Sequence, residues 1–293
     1  MFTGLNRILP ILFLICTFSC GKKEGKGPEF TVPYNLDQAD EFDLAEELQE
    51  VSGISPSADG KGLWAINDET GKLYKLSFEG NIIQSKWFRK GGDYEDVVAV
   101  DSSVFVLKSN GNLYRIDNPD ADSLTAQALK GEFKRGIEFE SVALDRSRNR
   151  LLLLVKDGEG SKGHAPVYGY DLEGQSYQEG HVMLIDPRKA PGVSVKGKSL
   201  RASAMAIHPQ TGHLYIVTSI QRMLLVCDKE GNGLASFKLS KKRFPQPEGI
   251  CFLPNGDMFI TSEGLSRPAR LYRFPYLDRK KILQDSVSVD TIR

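Results

Sequence analysis

The chain has little cysteine, little histidine and no surplus of charge. Its 293 residues hold four Cys, four His and two Trp, and 38 Lys+Arg face 38 Asp+Glu. A nucleic-acid binder carries a basic excess, so the zero formal charge sets DNA and RNA partners aside. No CxxC occurs, which removes zinc ribbons and thioredoxin-like chemistry. The histidines (164, 181, 208 and 213) form no HExxH pair, and neither a GxSxG elbow nor a P-loop is present. With 40% hydrophobic and 26% charged residues, the chain still has the composition of a globular protein.

Long apolar runs are also missing. The longest N-terminal one, Ile8 to Ser19, has 12 residues broken by Pro10 and follows the single charge of Arg7. A bilayer span needs about 20 residues, so this run reads as the core of a signal peptide. It ends Thr17-Phe18-Ser19-Cys20-Gly21, which resembles a bacterial lipobox. The resemblance implies a signal peptide over 1–19, a lipidated Cys20 as the mature N-terminus, and attachment to a membrane. Several acyl chains on one residue anchor stably where a single chain does not. Gly21 after the Cys resembles outer-membrane sorting, facing the periplasm or the surface. Residues 20–29 form a tether. Of the other cysteines, Cys16 leaves with the signal; Cys227 and Cys251 lie in predicted strands, either bridged or free.

What remains, residues 30–293, repeats itself. Val51-Ser52-Gly53-Ile54, Tyr94-Glu95-Asp96-Val97, Phe139-Glu140-Ser141-Val142, Ala202-Ser203-Ala204-Met205 and Pro247-Glu248-Gly249-Ile250 align on their second residues. These fall at 52, 95, 140, 203 and 248, so the steps are 43, 45, 63 and 45. Each unit continues with a polar turn, an apolar strand such as Leu151 to Val155, and a third strand such as Leu73-Tyr74-Lys75-Leu76. A fourth, more polar strand ends most units. Four antiparallel strands in about 45 residues are a propeller blade. The fold class is therefore all-β, a five-bladed β-propeller of four-stranded antiparallel blades. Phe30 to Asn35 is expected to supply the outer strand that closes the ring. The long step places an insertion at about 157–185, either an elongated hairpin or a flap over the channel.

Propeller topology gathers chosen residues on one face. Ser52, Glu95, Glu140, Ser203 and Glu248 begin the innermost strands and ring one mouth of the channel. Asn67, Asp68, Lys108, Lys156, Asp157, Thr218, Ser219, Ser262 and Glu263 end the second strands further out. Converging carboxylates raise each other's pKa or require a cation, and calcium, with 6–8 oxygen ligands, suits such a site. Alternatively, the carboxylates bond backbone N–H groups of adjacent blades, with Lys108 and Lys156 neutralising Glu95 and Glu140. Gly158 to Gly163 fits GxGxxG, but an extended stretch follows where the dinucleotide motif needs a helix. Asp145, Ser147 and Asn149 have the spacing of a calcium loop but read as a hairpin turn.

The ordered Ser, Glu, Glu, Ser, Glu series, with Arg201-Ala202-Ser203-Ala204, Gln246-Pro247-Glu248-Gly249-Ile250, Gly256 to Glu263 and Leu271-Tyr272-Arg273-Phe274, resembles the SdiA-regulated (YjiK-like) propeller family. The resemblance covers roughly residues 30 to 275. It implies five blades, an N-terminal signal or anchor, and a calcium ion near the inner strands with Glu95, Glu140 and Glu248 as ligands. Lys108 stands where the family tends to have an acidic residue. The functional expectation is a lipid-anchored envelope module, non-catalytic, that binds calcium and a small ligand or an envelope protein. The alternative is a calcium-dependent hydrolase of lactonase, esterase or phosphatase type. The obvious carboxylates are spent as ligands and no His stands beside them, which favours binding.

Overall fold

Each innermost strand packs on the next, and the last returns to the first. The computed structural model describes residues 31–156, 163–191, 193 and 200–277. A strand β1 (Asp40–Asp43) precedes the first blade. That blade is β2 (Val51–Pro56), β3 (Leu63–Asn67), β4 (Lys72–Leu76) and β5 (Ile82–Trp87). The second is β6 (Tyr94–Val100), β7 (Ser103–Lys108), β8 (Leu113–Asp117) and β9 (Ala126–Leu129). The third is β10 (Phe139–Asp145), β11 (Arg150–Val155), β12 (Ala165–Asp171) and β13 (Ser176–Ile185). The fourth is β14 (Ala202–Ile207), β15 (Leu214–Thr218), β16 (Met223–Cys227) and β17 (Gly233–Lys238). The fifth is β18 (Gln246–Phe252), β19 (Met258–Glu263) and β20 (Arg270–Phe274), completed by β1. Strand β2 contacts β6, β6 contacts β10, β10 contacts β14, β14 contacts β18, and β18 contacts β2. The five-bladed propeller expected from the repeat is what forms.

The blades cohere because the second strand of each is buried on both faces. Leu151 to Val155 is buried throughout, its side chains shared between two inter-blade clusters. Burying one such side chain contributes about 2 kcal/mol before entropy is counted. Cys227 and Cys251 are both free and buried, each in a different cluster. The outer strand β5 alternates between half-buried and exposed residues, as an edge strand should.

Ring closure departs from the sequence expectation. Asp40–Asp43, rather than Phe30 to Asn35, pairs with β20, from Asp40↔Arg273 to Asp43↔Arg270. Charge explains the register: Glu41 meets Arg243 at 2.9 Å and Arg270 at 3.0 Å, and Asp43 meets Arg270 at 2.8 Å. Pro33 has no N–H to give a ladder. Its carbonyl instead accepts from Leu277 N, and Tyr34 is buried with its hydroxyl on Gly256 O at 2.6 Å. Tyr34 thereby joins an aromatic cluster with His208, Tyr215, Phe252 and Tyr276, on the face opposite the glutamates.

The insertion takes the elongated-hairpin form. Ala165–Asp171 and Ser176–Ile185 are the third blade's own outer strands, paired with each other. At seven and ten residues they are longer than the outer strands of the other blades. Their tyrosines do not cap the channel. Tyr177 donates to a backbone carbonyl of the second blade (Gly111 O and Leu129 O both at 2.9 Å) and accepts from Leu113 N at 3.1 Å, locking blade three to blade two. Asp145 closes a hairpin turn, bonded to Ser147, Arg148 and Arg150. The signal segment, the tether with Cys20, Asp157 and most of the GxGxxG stretch lie outside the described residues.

Candidate functional site

Every innermost strand carries a β-bulge at the same repeat position. Pairing skips from Val51 to Gly53, Tyr94 to Asp96, Phe139 to Ser141, Ala202 to Ala204 and Pro247 to Gly249. The residues skipped are Ser52, Glu95, Glu140, Ser203 and Glu248, the aligned series of the repeat. A bulge leaves one residue unpaired and re-aims its side chain. Five bulges at one level explain why a conspicuous polar residue occurs at this position in each apolar strand.

The two serines serve the frame. Ser52 Oγ donates to Tyr94 O at 2.9 Å, tying blade one to blade two. Ser203 Oγ accepts from Ser219 N at 2.9 Å. The three glutamates are electrostatically strained. Burial pushes Glu95 up to about 9, helped by the charges of Glu140 and Asp93. Burial likewise pushes Glu248 up to about 8, with Glu263 and Glu140 adding and Gln246 and Ser203 opposing. Glu140 is buried, and that burial outweighs Lys156, whose Nζ lies 2.5 Å from Oε1 and 3.9 Å from Glu138 Oε2. Burial opposes the Lys156 charge, but its bond to Glu140 and the fields of Glu95 and Glu138 hold its pKa above the usual value.

The outer set divides. Asp68 is pushed up to about 6 by burial, then by Glu50 and Glu69, and its Oδ1 is buried without a hydrogen-bond partner. Glu263 is pushed up to about 7 by burial, then by Asp68 and Glu50. These two extend the acidic mouth across blades five and one. Asn67 belongs to its turn, donating to Glu47 O and accepting from Thr70 N. Ser262 accepts from Gln246 N. Lys108 forms no ion pair among the described residues, so of the two lysines only Lys156 engages a glutamate.

One residue escaped the sequence reading. Asp96, next to Glu95, is buried on the axis beneath the mouth. Its Oδ1 accepts from Val97 N at 2.7 Å, and its Oδ2 from Ser141 Oγ at 2.6 Å and Val142 N at 2.9 Å. Ser141 Oγ in turn accepts from Met205 N at 2.8 Å, so blades two, three and four share one network. Burial pushes the Asp96 carboxyl up to about 8 against those three donors. Gly53 makes the room: a Cβ there would stand 2.4 Å from Asp96 Oδ1. The signal was available one residue beyond the aligned series, where the other blades have Gly53, Ser141, Ala204 and Gly249.

The donor chemistry suits a hard cation, because carboxylates and carbonyls are what calcium takes. The spacing is looser: among the described residues, no three His, Cys, Asp or Glu approach closely enough to hold one ion. A calcium ion would have to draw Glu95, Glu140 and Glu248 together and displace Lys156.

Comparison with known proteins agrees with this architecture. No curated protein matches. Among solved structures, the chain is similar to the glutaminyl cyclase of Myxococcus xanthus, at 14% identity and a TM-score of 0.58, over 80% of this chain and 94% of that one. It is also similar to a Bacteroides thetaiotaomicron VPI-5482 protein of unknown function, at 14% identity and a TM-score of 0.50, over 76% of this chain and 55% of that one. At such identities the likeness is one of fold. The SdiA-regulated family model matches residues 34–275, nearly the whole propeller, and the chain belongs to that family.

Proposed function

We propose that the protein is a lipid-anchored propeller of the cell envelope whose acidic mouth binds a cation, calcium foremost, as a non-catalytic ligand- or protein-binding module. One observation carries the reading. Glu95 and Glu248 are held with pKa values near 9 and 8 by burial and neighbouring carboxylates. A bound cation relieves that strain, and groups so perturbed gather at functional sites. The anchor rests on Thr17 to Gly21, with the membrane reached through lipid on Cys20 and outer-membrane placement through Gly21. Calcium added to the purified domain is expected to raise its melting temperature, and Glu140→Gln to abolish the rise. No shift with calcium or chelator would remove the metal from the proposal. Cys20→Ser is expected to free the protein from membranes.

A catalytic reading has one observation in its favour. Protonated carboxylates near neutrality are what a general acid requires, and Glu95 and Glu248 meet that condition. Hydrolysis of a lactone, ester or phosphate with calcium, or cyclisation of a glutaminyl peptide as the Myxococcus enzyme's name describes, would use them. A panel of those four substrates tests it. Turnover that disappears in Glu248→Gln would replace the binding reading.

A further inference from the structure

The connection between blades four and five is basic in a chain that is otherwise balanced. Between Glu230 and Glu248 it carries Lys238, Lys241, Lys242 and Arg243 and no acid. Lys238, Lys241 and Lys242 are exposed. Two neighbouring turns are bonded to it. Leu239 N donates to Arg222 O at 2.8 Å, which attaches the turn between β15 and β16. Arg267 Nη2 donates to Lys242 O at 2.8 Å, which attaches the turn between β19 and β20. These contacts set three segments side by side, with Arg222, Lys238, Lys241, Lys242 and Arg267 on them. Among the described residues none of these five forms an ion pair. Glu41 and Asp43 are already taken by Arg243 and Arg270.

The segments are held firmly. Arg243 N and Phe244 N both donate to Ser240 O, which folds the connection into a turn. Phe244 packs on Tyr272 with 4.4 Å between ring centroids. Arg243 Nη1 donates to Leu36 O at 3.0 Å, so the N-terminal segment runs beside the basic turn. Gln49 Nε2 donates to Arg267 O at 2.7 Å, and Ala269 N donates to Gln49 Oε1 at 3.2 Å, fixing the blade-five turn.

Both attached turns have an apolar tip. Ile220, two residues before Arg222, is 66% exposed, and Leu265, two before Arg267, is 64% exposed. Leu265 is held at φ 57°, a left-handed conformation that costs a leucine energy. Aliphatic tips flanked by unpaired cations fit the boundary of an anionic bilayer. Cations meet headgroup phosphates there, and aliphatic groups enter the acyl edge. A soluble polyanion would use the cations and leave the tips in water. Glu263, the mouth acid that leads into the blade-five turn, is half-buried and pushed up to about 7, which limits its repulsion of such a surface.

We propose that this surface docks on a bilayer of anionic phospholipid, with the five cations on the phosphates and Ile220 and Leu265 in the interface. By itself the contact is weak and salt-sensitive; it adds to the proposed lipid on Cys20 and does not depend on it. Vesicles of phosphatidylcholine, with or without phosphatidylglycerol, are the probe, and sedimentation of the full chain with them is the readout. Every chain compared carries Cys20→Ser, so failure of the anchor reading leaves the comparison intact. The chain is expected to bind the anionic vesicles about tenfold or more over the neutral ones, and to leave them as salt rises. Lys238→Gln with Lys241→Gln and Lys242→Gln is expected to lower that binding about a hundredfold, at about fivefold for each charge. Ile220→Ser with Leu265→Ser is expected to lower it about tenfold and to leave binding of polyphosphate unchanged. Unchanged melting temperatures show that the variants are folded, as expected for exposed positions. Equal binding to both kinds of vesicle, or binding untouched by the lysine changes, would overturn the proposal. So would vesicle binding that Ile220→Ser with Leu265→Ser leaves intact, which would assign the cations to a soluble polyanion.

Discussion

Asp96 Oδ2 and Ser141 Oγ meet at 2.6 Å on the propeller axis, binding the second blade to the third. Because Ser141 Oγ also takes the Met205 amide, that contact carries on to the fourth blade. Asp96→Ala would strand two backbone amides and leave the Ser141 hydroxyl only the Met205 carbonyl, 3.4 Å away. Each buried orphan costs about 1–3 kcal/mol, so a loss of about 3 kcal/mol or more is expected in urea unfolding. Ser141→Ala should cost less, since Asp96 keeps its two amide donors. A smaller loss in Asp96→Ala than in Ser141→Ala would contradict the network.

Gly53→Ala tests the same point from blade one. The added methyl would stand 2.4 Å from Asp96 Oδ1 and 2.6 Å from its Cα. Neither atom can yield without moving the axis. A lowered melting temperature is expected despite the usual gain from replacing glycine, and a raised one would show that the contact relaxes freely.

The mouth carboxylates predict a pH dependence. Folding lifts Glu248 from 4.5 to about 8, Glu95 from 4.5 to about 9 and Glu263 from 4.5 to about 7. Between those limits the folded state holds protons the unfolded chain has released. Stability is therefore complete below pH 4.5 as far as these groups are concerned, and falls as pH rises through 7 to 9. Glu248→Gln should flatten the decline and raise the melting temperature at pH 8 by about 3 °C or more, with no gain at pH 4. An equal gain at both pH values would show that the effect is not one of charge.

Lys156 stands 2.5 Å from Glu140 and would compete there with the proposed cation. Lys156→Gln should lower the melting temperature without added metal and enlarge the rise produced by calcium. A diminished calcium response would mean that Lys156 helps to build the site rather than occupying it.

Closure by Asp40–Asp43 can be tested by charge. Arg270→Glu would set a third acid against Glu41 and Asp43, now 3.0 and 2.8 Å from the guanidinium. Faster proteolysis of the N-terminal strand is expected, with partial protection returned by Glu41→Lys. Unchanged proteolysis would mean that the backbone ladder alone holds β1.

The blades were legible because their physics is local. Leu151 to Val155 has one continuous apolar pattern wherever it is placed, and a turn such as Pro254-Asn255-Gly256-Asp257 has few alternatives. Closure was not legible, because Phe30 to Asn35 is the more apolar stretch. Only the arginines of β20 and its neighbourhood reveal why the acidic Asp40–Asp43 wins. The series at 52, 95, 140, 203 and 248 was visible as a repeat, but its cause, a bulge in every inner strand, depends on cross-strand register.

The sequence by itself determined the number of blades, their family and the glutamates that share a mouth, since repetition at a fixed interval places equivalent residues at equivalent points of a ring. Only the tertiary structure decided which of those groups are strained, which are spent on the frame, and that Asp96 rather than its neighbour holds the axis. Burial and hydrogen-bond partners come from other blades, 45 or more residues away in the case of Asp96 and Ser141, and no local pattern encodes them.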